Sequence, residues 1–178
     1  TIRMAAANDE IDLQLELGNT DSVRNEGIIS IASKLSKYKD KPMFDIEVLP
    51  SNIILNDSAW NIGQARIAYS IAEKRMDITN FSLHTDYQSI IANGTASELA
   101  TDSIDVVLNN INLDYLLSYT EASKAISIMG PVTGQAQVYS VFSAPMLEAQ
   151  AQIRNGGLNG VYLGDVTAEA RLDRENKT

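Results

Sequence analysis

His84 is the only histidine of the chain, and there is no cysteine. It lies in Phe-Ser-Leu-His-Thr (81–85), on the polar side of an alternating stretch. A metal ion or a general base requires partner residues at short range, and no second His or Cys exists to supply them. We therefore expect a solvent-facing strand histidine rather than a catalytic or metal-binding one.

Two other sets of polar residues fail the same test. Asp9, Glu10 and Asp12 form an acidic cluster, but no Asp-x-Asp-x-Asp-Gly loop is present to complete a calcium site. No serine lies in Gly-x-Ser-x-Gly, and no glycine-rich phosphate loop occurs. The carboxylates are interpreted as a solvated face, and the sequence predicts a protein without catalytic activity, cofactor or metal.

The composition of the chain excludes further classes of protein. The 178 residues have 44% hydrophobic side chains and a formal net charge of −9, which predicts a folded protein that nucleic acid would repel. No apolar run approaches the ~18–20 residues of a membrane span, and no secretion signal opens the chain. No internal linker is visible, so we expect one continuous unit, 1–178. Because the sequence begins in mid-pattern, we expect this unit to be cut from a longer protein.

Apolar and polar residues alternate along most of the chain. Ile11, Leu13, Leu15 and Leu17 are separated by charged or amide residues, and the pattern recurs near residues 44–48, 65–71, 104–108, 147–153 and 166–172. Period-2 alternation is typical of strands with one wet face, and antiparallel hairpins fit it better than buried parallel strands. The sequence predicts an all-β fold of roughly ten to twelve strands in a long, curved, one-sided antiparallel sheet.

Glycine, asparagine and proline mark the expected breaks between strands. Asn93-Gly94, Asn155-Gly156-Gly157 and Asn159-Gly160 are predicted to form hairpin turns. Pro50, Gly63, Gly130-Pro131 and Gly134 are expected to lie between strands.

Two segments depart from the alternation. Leu113, Leu116 and Leu117 have helical spacing behind a possible Asn112 cap, which predicts a short helix over 113–123. Within 18–42 we expect one strand at about 27–33, followed by a basic loop. Trp60 is predicted to pack in a core or hairpin, because its neighbours are strand residues rather than other aromatics.

The order of several segments after Trp60 is more specific than any one of them. Leu-Asn-Asn-Ile-Asn-Leu (108–113) is followed by Gly-Pro-Val-Thr-Gly-Gln-Ala (130–136), Ser-Ala-Pro-Met-Leu-Glu-Ala (143–149) and Leu-Gly-Asp (163–165). Over about 43–173 this order resembles the TamB (translocation and assembly module) branch of the AsmA-like proteins, which resemble bridge-like lipid-transfer proteins.

The resemblance implies a non-enzymatic segment of an envelope protein. TamB-like proteins cross the periplasm from an inner-membrane anchor, which would lie outside this chain, to a barrel protein of the outer-membrane assembly machinery. Their sheet forms a β-taco, a folded sheet with an apolar interior. The resemblance to this family also implies transport of phospholipid between the two membranes and a role in outer-membrane biogenesis and protein secretion.

Aliphatic side chains suit the acyl chains of phospholipids, although they also fill ordinary sandwich cores. Ten residues are predicted to line the concave, lipid-binding face: Leu13, Leu15, Ile46, Ile67, Ile104, Val106, Leu108, Val138, Leu147 and Val166. The alternative is a chaperone or interaction module that assists outer-membrane protein assembly through its groove or an open edge strand. Alternation alone does not separate these two functions. A carbohydrate-binding or adhesin sandwich is disfavoured, because aromatic residues make up only 6% of the chain.

Overall fold

The computed structural model describes residues 1–18, 23–114 and 127–172. These residues form one antiparallel sheet of fourteen strands, which confirms the all-β prediction. The strands are β1 Ile2–Ala7, β2 Glu10–Gly18, β3 Glu26–Tyr38, β4 Lys41–Val48, β5 Ser51–Leu55, β6 Ser58–Ile62, β7 Ala65–Ser70, β8 Arg75–His84, β9 Ser89–Ala96, β10 Ser103–Asn112, β11 Ile128–Met129, β12 Pro131–Tyr139, β13 Met146–Leu158 and β14 Val161–Leu172.

The topology is a simple meander. β4 and β5 both pair with β3, β6 and β7 both pair with β8, and β11 and β12 both pair with β13. Each of these three pairs is therefore one long bent strand, so the fourteen strands make eleven runs that each pair with their sequence neighbours. The bends fall at Pro50, Gly63 and Gly130, as the sequence predicted, because proline and glycine interrupt a ladder.

Four hairpins have two-residue turns whose central residues both have positive φ. These turns are Asn8-Asp9, Lys39-Asp40, Asn56-Asp57 and Asn159-Gly160. Positive φ at both positions defines the type I′ turn, whose twist matches that of the flanking strands. Of the three hairpin turns predicted from Asn-Gly pairs, only Asn159-Gly160 is one.

The predicted turns at Asn93-Gly94 and at 155–157 are wrong, because these residues lie inside β9 and β13. Pro131 and Gly134, which were also expected between strands, lie inside β12. The predicted basic loop before residue 42 is also wrong. β3 continues to Tyr38, and Lys34 on that strand pairs with Glu10 of β2 at 3.4 Å.

Beside a register shift at Gly156/Gly157, three β-bulges occupy places that the sequence suggested were turns or plain strand. Each contains an asparagine with positive φ: Asn80 in β8, Asn110 in β10 and Asn155 in β13. In each, the backbone N–H of that asparagine donates to an outward side chain of the next strand, at 2.6 Å to Asn93 Oδ1, 3.0 Å to Thr133 Oγ1 and 2.9 Å to Asp165 Oδ1. A bulge inserts an extra residue that has no ladder partner, and the side-chain acceptor satisfies its N–H.

The helix predicted over 113–123 lies largely outside the described residues. Leu113 and Asp114, its first two residues, have helical backbone. Asp114 accepts hydrogen bonds from Ser127 Oγ at 3.1 Å and from the Ile128 N–H at 3.0 Å. These bonds tie the end of β10 to the start of β11.

Gly94 provides a test of the bulge geometry. Its φ is +124°, and an added Cβ would collide with the carbonyl oxygen of Ser103 on β10. We expect Gly94→Ala to lower the free energy of unfolding by about 2 kcal/mol or more, measured by urea denaturation. Gly18→Ala is the matched control, since a Cβ there meets nothing within 4 Å, and it should change stability by less than about 0.5 kcal/mol. Equal stability of the two variants would contradict the described backbone.

Candidate functional site

The ten residues predicted to line the apolar face lie on one side of the sheet. Directly paired residues point to the same side, and the pairing links one residue from each strand into a continuous row. One such row is Ile11, Ser33, Ile46, Ile67, Ile78, Gly94, Ile104, Val138, Leu147 and Leu172. Five of the ten predicted residues belong to this row.

The other five predicted residues lie on parallel rows of the same face. Leu13 and Leu15 follow Ile11 at intervals of two along β2, and Val106 and Leu108 follow Ile104 along β10. Val166 pairs with Ile153 of β13. All ten side chains are half-buried, and all ten lie on this one face of the sheet.

The floor of this apolar face changes along the sheet. Over β2 to β9 it consists mainly of isoleucine, leucine and aromatic side chains. Over β12 to β14 its two central rows hold only small residues, namely Gly134, Ala136, Ala149, Ala151, Ala168 and Ala170. Larger residues flank them, with Val138, Leu147 and Leu172 on one side and Val132, Ile153 and Val166 on the other. The apolar surface over β12 to β14 therefore has a shallow groove along its two central rows, with larger side chains on both sides.

Burial on the apolar face is concentrated near one margin of the sheet. The margin of the sheet with the turns at 8–9 and 39–40 is called the first rim. The opposite margin, with the turns at 56–57 and 159–160, is called the second rim. Ile53, Trp60, Ile62 and Ile111 form a buried cluster with Val48 and Ala65, and most of it lies near the second rim. Trp60, 7% exposed, belongs to this core, as the sequence predicted.

Most of the apolar face is not sealed. Only eight hydrophobic residues of the described chain are buried, and the accessible surface is 11631 Å², against about 8,500 Å² for a compact globular protein of this mass. Ile2 and Met4 of β1 are each 69% exposed, and Leu172 of β14 is 60% exposed. The sheet is thus partly closed in its middle and open toward both end strands.

A clasp at the first rim holds the middle of the sheet in its curved form. The loop 140–145 brings Phe142 to Tyr69 of β7, with ring centroids 6.5 Å apart. The Phe142 N–H donates to the backbone carbonyl of Ser97 at 3.1 Å, and Ser143 Oγ donates to the backbone carbonyl of Glu98 at 3.0 Å. β7 and β12 are four strand spacings apart, about 19 Å in a flat sheet, so this contact requires curvature. Sequence reasoning missed it, because loop residues carry no periodic pattern.

The opposite face of the sheet is polar and carries cross-strand ion pairs. Arg66 donates to Asp45 at 2.9 Å, and Arg75 to Asp77 at 2.8 Å and Asp102 at 3.0 Å. A hydrogen bond from Ser36 and the charge of Arg66 hold the pKa of Asp45 below its usual value, against the opposing effect of burial.

A cavity of about 640 Å³ lies on this polar face, across β2, β3, β4, β7 and β8. Glu10, Lys34, Glu47 and Arg66 are among the residues that line it. It could not be seen in the sequence, because only the strand register brings these residues together. Its mixed charges make it unsuitable for an acyl chain.

The polar residues first considered for chemistry remain dispersed. His84 is exposed at the end of β8, opposite Asn61. Asp9 lies in the first turn, and Glu10 and Asp12 are exposed on β2. Within the described ranges there is no group of three or more His, Asp or Glu side chains that could hold a metal ion.

The comparisons with known proteins identify no relative. No protein-family model matches the chain, and neither the curated proteins nor the solved structures gave a significant match. Among the described residues, no helix combines the length and apolar character needed to cross a membrane.

The carboxyl group of Asp77 on the polar face should make the stability of the fold depend on pH. Burial raises its pKa, but hydrogen bonds from Arg75 and Thr95 and the charge of Arg75 outweigh that effect, so the pKa is lowered. A carboxyl whose folded pKa is depressed stabilises the fold above its unfolded pKa, about 3.9, and loses that contribution as the pH falls through the folded value. We expect the free energy of unfolding, measured by urea denaturation, to fall below about pH 4.

Asp77→Asn should be less stable than the wild type near pH 7 and should show a smaller loss on acidification. Thr95→Val, which removes the 2.6 Å hydrogen bond from Thr95 Oγ1, should reduce the acid-dependent loss in part. An acid-dependent loss in Asp77→Asn as large as that of the wild type would show that this carboxyl is not responsible.

Proposed function

We propose that the chain binds the acyl chains of phospholipids along its apolar face and forms part of a lipid conduit. The observation that carries this proposal is that one face is apolar across all eleven runs and stays only half-buried, with no second sheet packed over it among the described residues. A closed sandwich would bury that face against another sheet. An exposed apolar surface of this extent marks an interaction site.

The dimensions of the face suit acyl chains that run across the strands. Eleven strands spaced ~4.8 Å apart extend over roughly 50 Å. One leaflet of a bilayer core is about 15 Å thick, which corresponds to about three strand spacings. The low floor over β12 to β14 extends over two strand spacings, about 10 Å between the outer strand axes, and is bordered by larger residues such as Leu147 and Ile153. We assign the best-formed acyl-chain path to this part of the face.

The resemblance to TamB-like proteins supplies the proposed setting. In that setting the chain is a periplasmic segment of a longer protein anchored in the inner membrane, and phospholipid moves along it between the inner and outer membranes. An outer-membrane assembly barrel would be a partner of other parts of that protein. The polar face, with its salt bridges, would then contact water.

Guidance of outer-membrane strands is the second candidate function. The observation that favours it is that, among the described residues, β14 pairs only with β13, so that an extended segment could add along its other side. Such binding uses backbone hydrogen bonds along the edge and not the floor of the apolar face. A charge placed in the centre of the apolar face therefore separates the two functions.

Val106 and Val107 provide a matched pair for this test. Val106 is half-buried on the apolar face, between Ala92 and Ala136, whereas Val107 is 45% exposed on the polar face, between Ile91 and Gln135. We expect Val106→Arg to reduce uptake of a fluorescent diacyl phospholipid from vesicles by about tenfold or more, because acyl chains would have to pass a charge. Val107→Arg should retain wild-type uptake.

Both variants should keep the β-sheet signal in circular dichroism. An arginine stem can lie along an open apolar surface and carry its charge to water, whereas a closed core would strand the charge and unfold the protein. A folded Val106→Arg that takes up lipid as well as Val107→Arg would overturn the conduit role of this face. An unfolded Val106→Arg beside a folded Val107→Arg would show that the face is a closed core.

A further inference from the structure

Lys37 of β3 is the only charged residue on the apolar face of the strands that the structure describes. It lies near the first rim, opposite Pro42 and two residues beyond the cross-strand pair of Leu35 and Phe44. Successive side chains of a strand alternate between the two faces of a sheet, so Lys37 points to the same side as Leu35. The charged residues of the other described strands alternate onto the polar face.

The charge of Lys37 is not neutralised by a neighbouring carboxylate. Lys34, on the polar face of the same strand, lies 3.4 Å from Glu10, and Lys41 of β4 lies 2.7 Å from Glu73. Lys37 makes no such ion pair with another described residue, and it is exposed. Its ammonium group is therefore available to an anion at the margin of the apolar face.

A phospholipid combines the two kinds of group that this margin can bind. Its acyl chains favour contact with apolar side chains, whereas its phosphate is costly to bury without a partner and must stay where the apolar face meets water. Leu35 is the next side chain inward from Lys37 on this face, about 6.8 Å away along the strand. A lysine stem can lie over apolar surface and hold its charge at the water boundary, and an ammonium group binds phosphate as a point charge.

We propose that Lys37 binds the headgroup phosphate of a phospholipid whose acyl chains lie on the apolar face inward of Leu35 and Phe44. This inference rests on the proposed lipid binding and adds an orientation to it, with the headgroup at the first rim. The buried cluster around Trp60 lies mostly near the second rim, so more of the apolar face is free near the first. The chain then binds an anionic phospholipid more tightly than an uncharged lipid with the same acyl chains.

Two fluorescent lipids with identical acyl chains, phosphatidylglycerol and diacylglycerol, test the headgroup contact when each is delivered to the whole chain from a cyclodextrin carrier. We expect Lys37→Gln to raise the Kd for phosphatidylglycerol about threefold or more at low ionic strength, where an exposed ion pair is least screened. Its Kd for diacylglycerol should be unchanged. Lys37→Arg should retain both wild-type values, because it keeps the positive charge. Lys34→Gln is the matched control, with the same change of charge on the opposite face of the same strand, and it should also retain both.

Failure of the headgroup contact and failure of the proposed lipid binding give different results. If the wild type binds both lipids and Lys37→Gln binds phosphatidylglycerol equally well, the contact is overturned and the lipid binding stands. An equal rise of Kd for diacylglycerol, or an equal loss in Lys34→Gln, would also overturn the contact. A wild type that binds neither lipid would overturn the proposed function together with the contact. Excess inorganic phosphate at matched ionic strength should leave phosphatidylglycerol bound, and its displacement would show a site for free phosphate instead of a lipid headgroup.

Discussion

The phase of the apolar–polar alternation is the constraint on which the sheet depends. A slip of one residue would turn every later side chain of a strand to the opposite face. The bulges at Asn80, Asn110 and Asn155 each absorb an extra residue and keep the phase, so that Ile78 and Phe81, or Leu108 and Ile111, all lie on the apolar face. Asparagine tolerates positive φ, and a side-chain acceptor on the next strand satisfies its N–H.

Curvature follows from the same features. Bulges bend the strand that contains them, and the breaks at Pro50 and Gly63 bend the two strands that carry the buried cluster around Trp60. The clasp between Phe142 and Tyr69 then fixes the opposite rim. Among the described residues no second sheet packs on this one, so its apolar face remains half-buried.

Local patterns were sufficient to predict most of the strands and that Leu13, Val106 and Val166 share one side of the sheet. The predictions failed where the same short sequence is compatible with two different local structures. Asn93-Gly94 has the composition of a hairpin turn, but Asn93 is the acceptor for a bulge thirteen residues earlier in the chain. The Lys39-Asp40 turn was missed, because lysine is uncommon at positive φ and reads as a loop. The polar cavity and the clasp depend on register and curvature, which no local window contains.

Native mass spectrometry of the whole chain, purified from cells without detergent, tests most directly whether the apolar face carries acyl chains. We expect the folded protein to retain adducts with the masses of diacyl phospholipids, and organic extraction to release them. A folded protein that carries no lipid, and that acquires none when incubated with phospholipid vesicles, would contradict the assignment of this face to lipid.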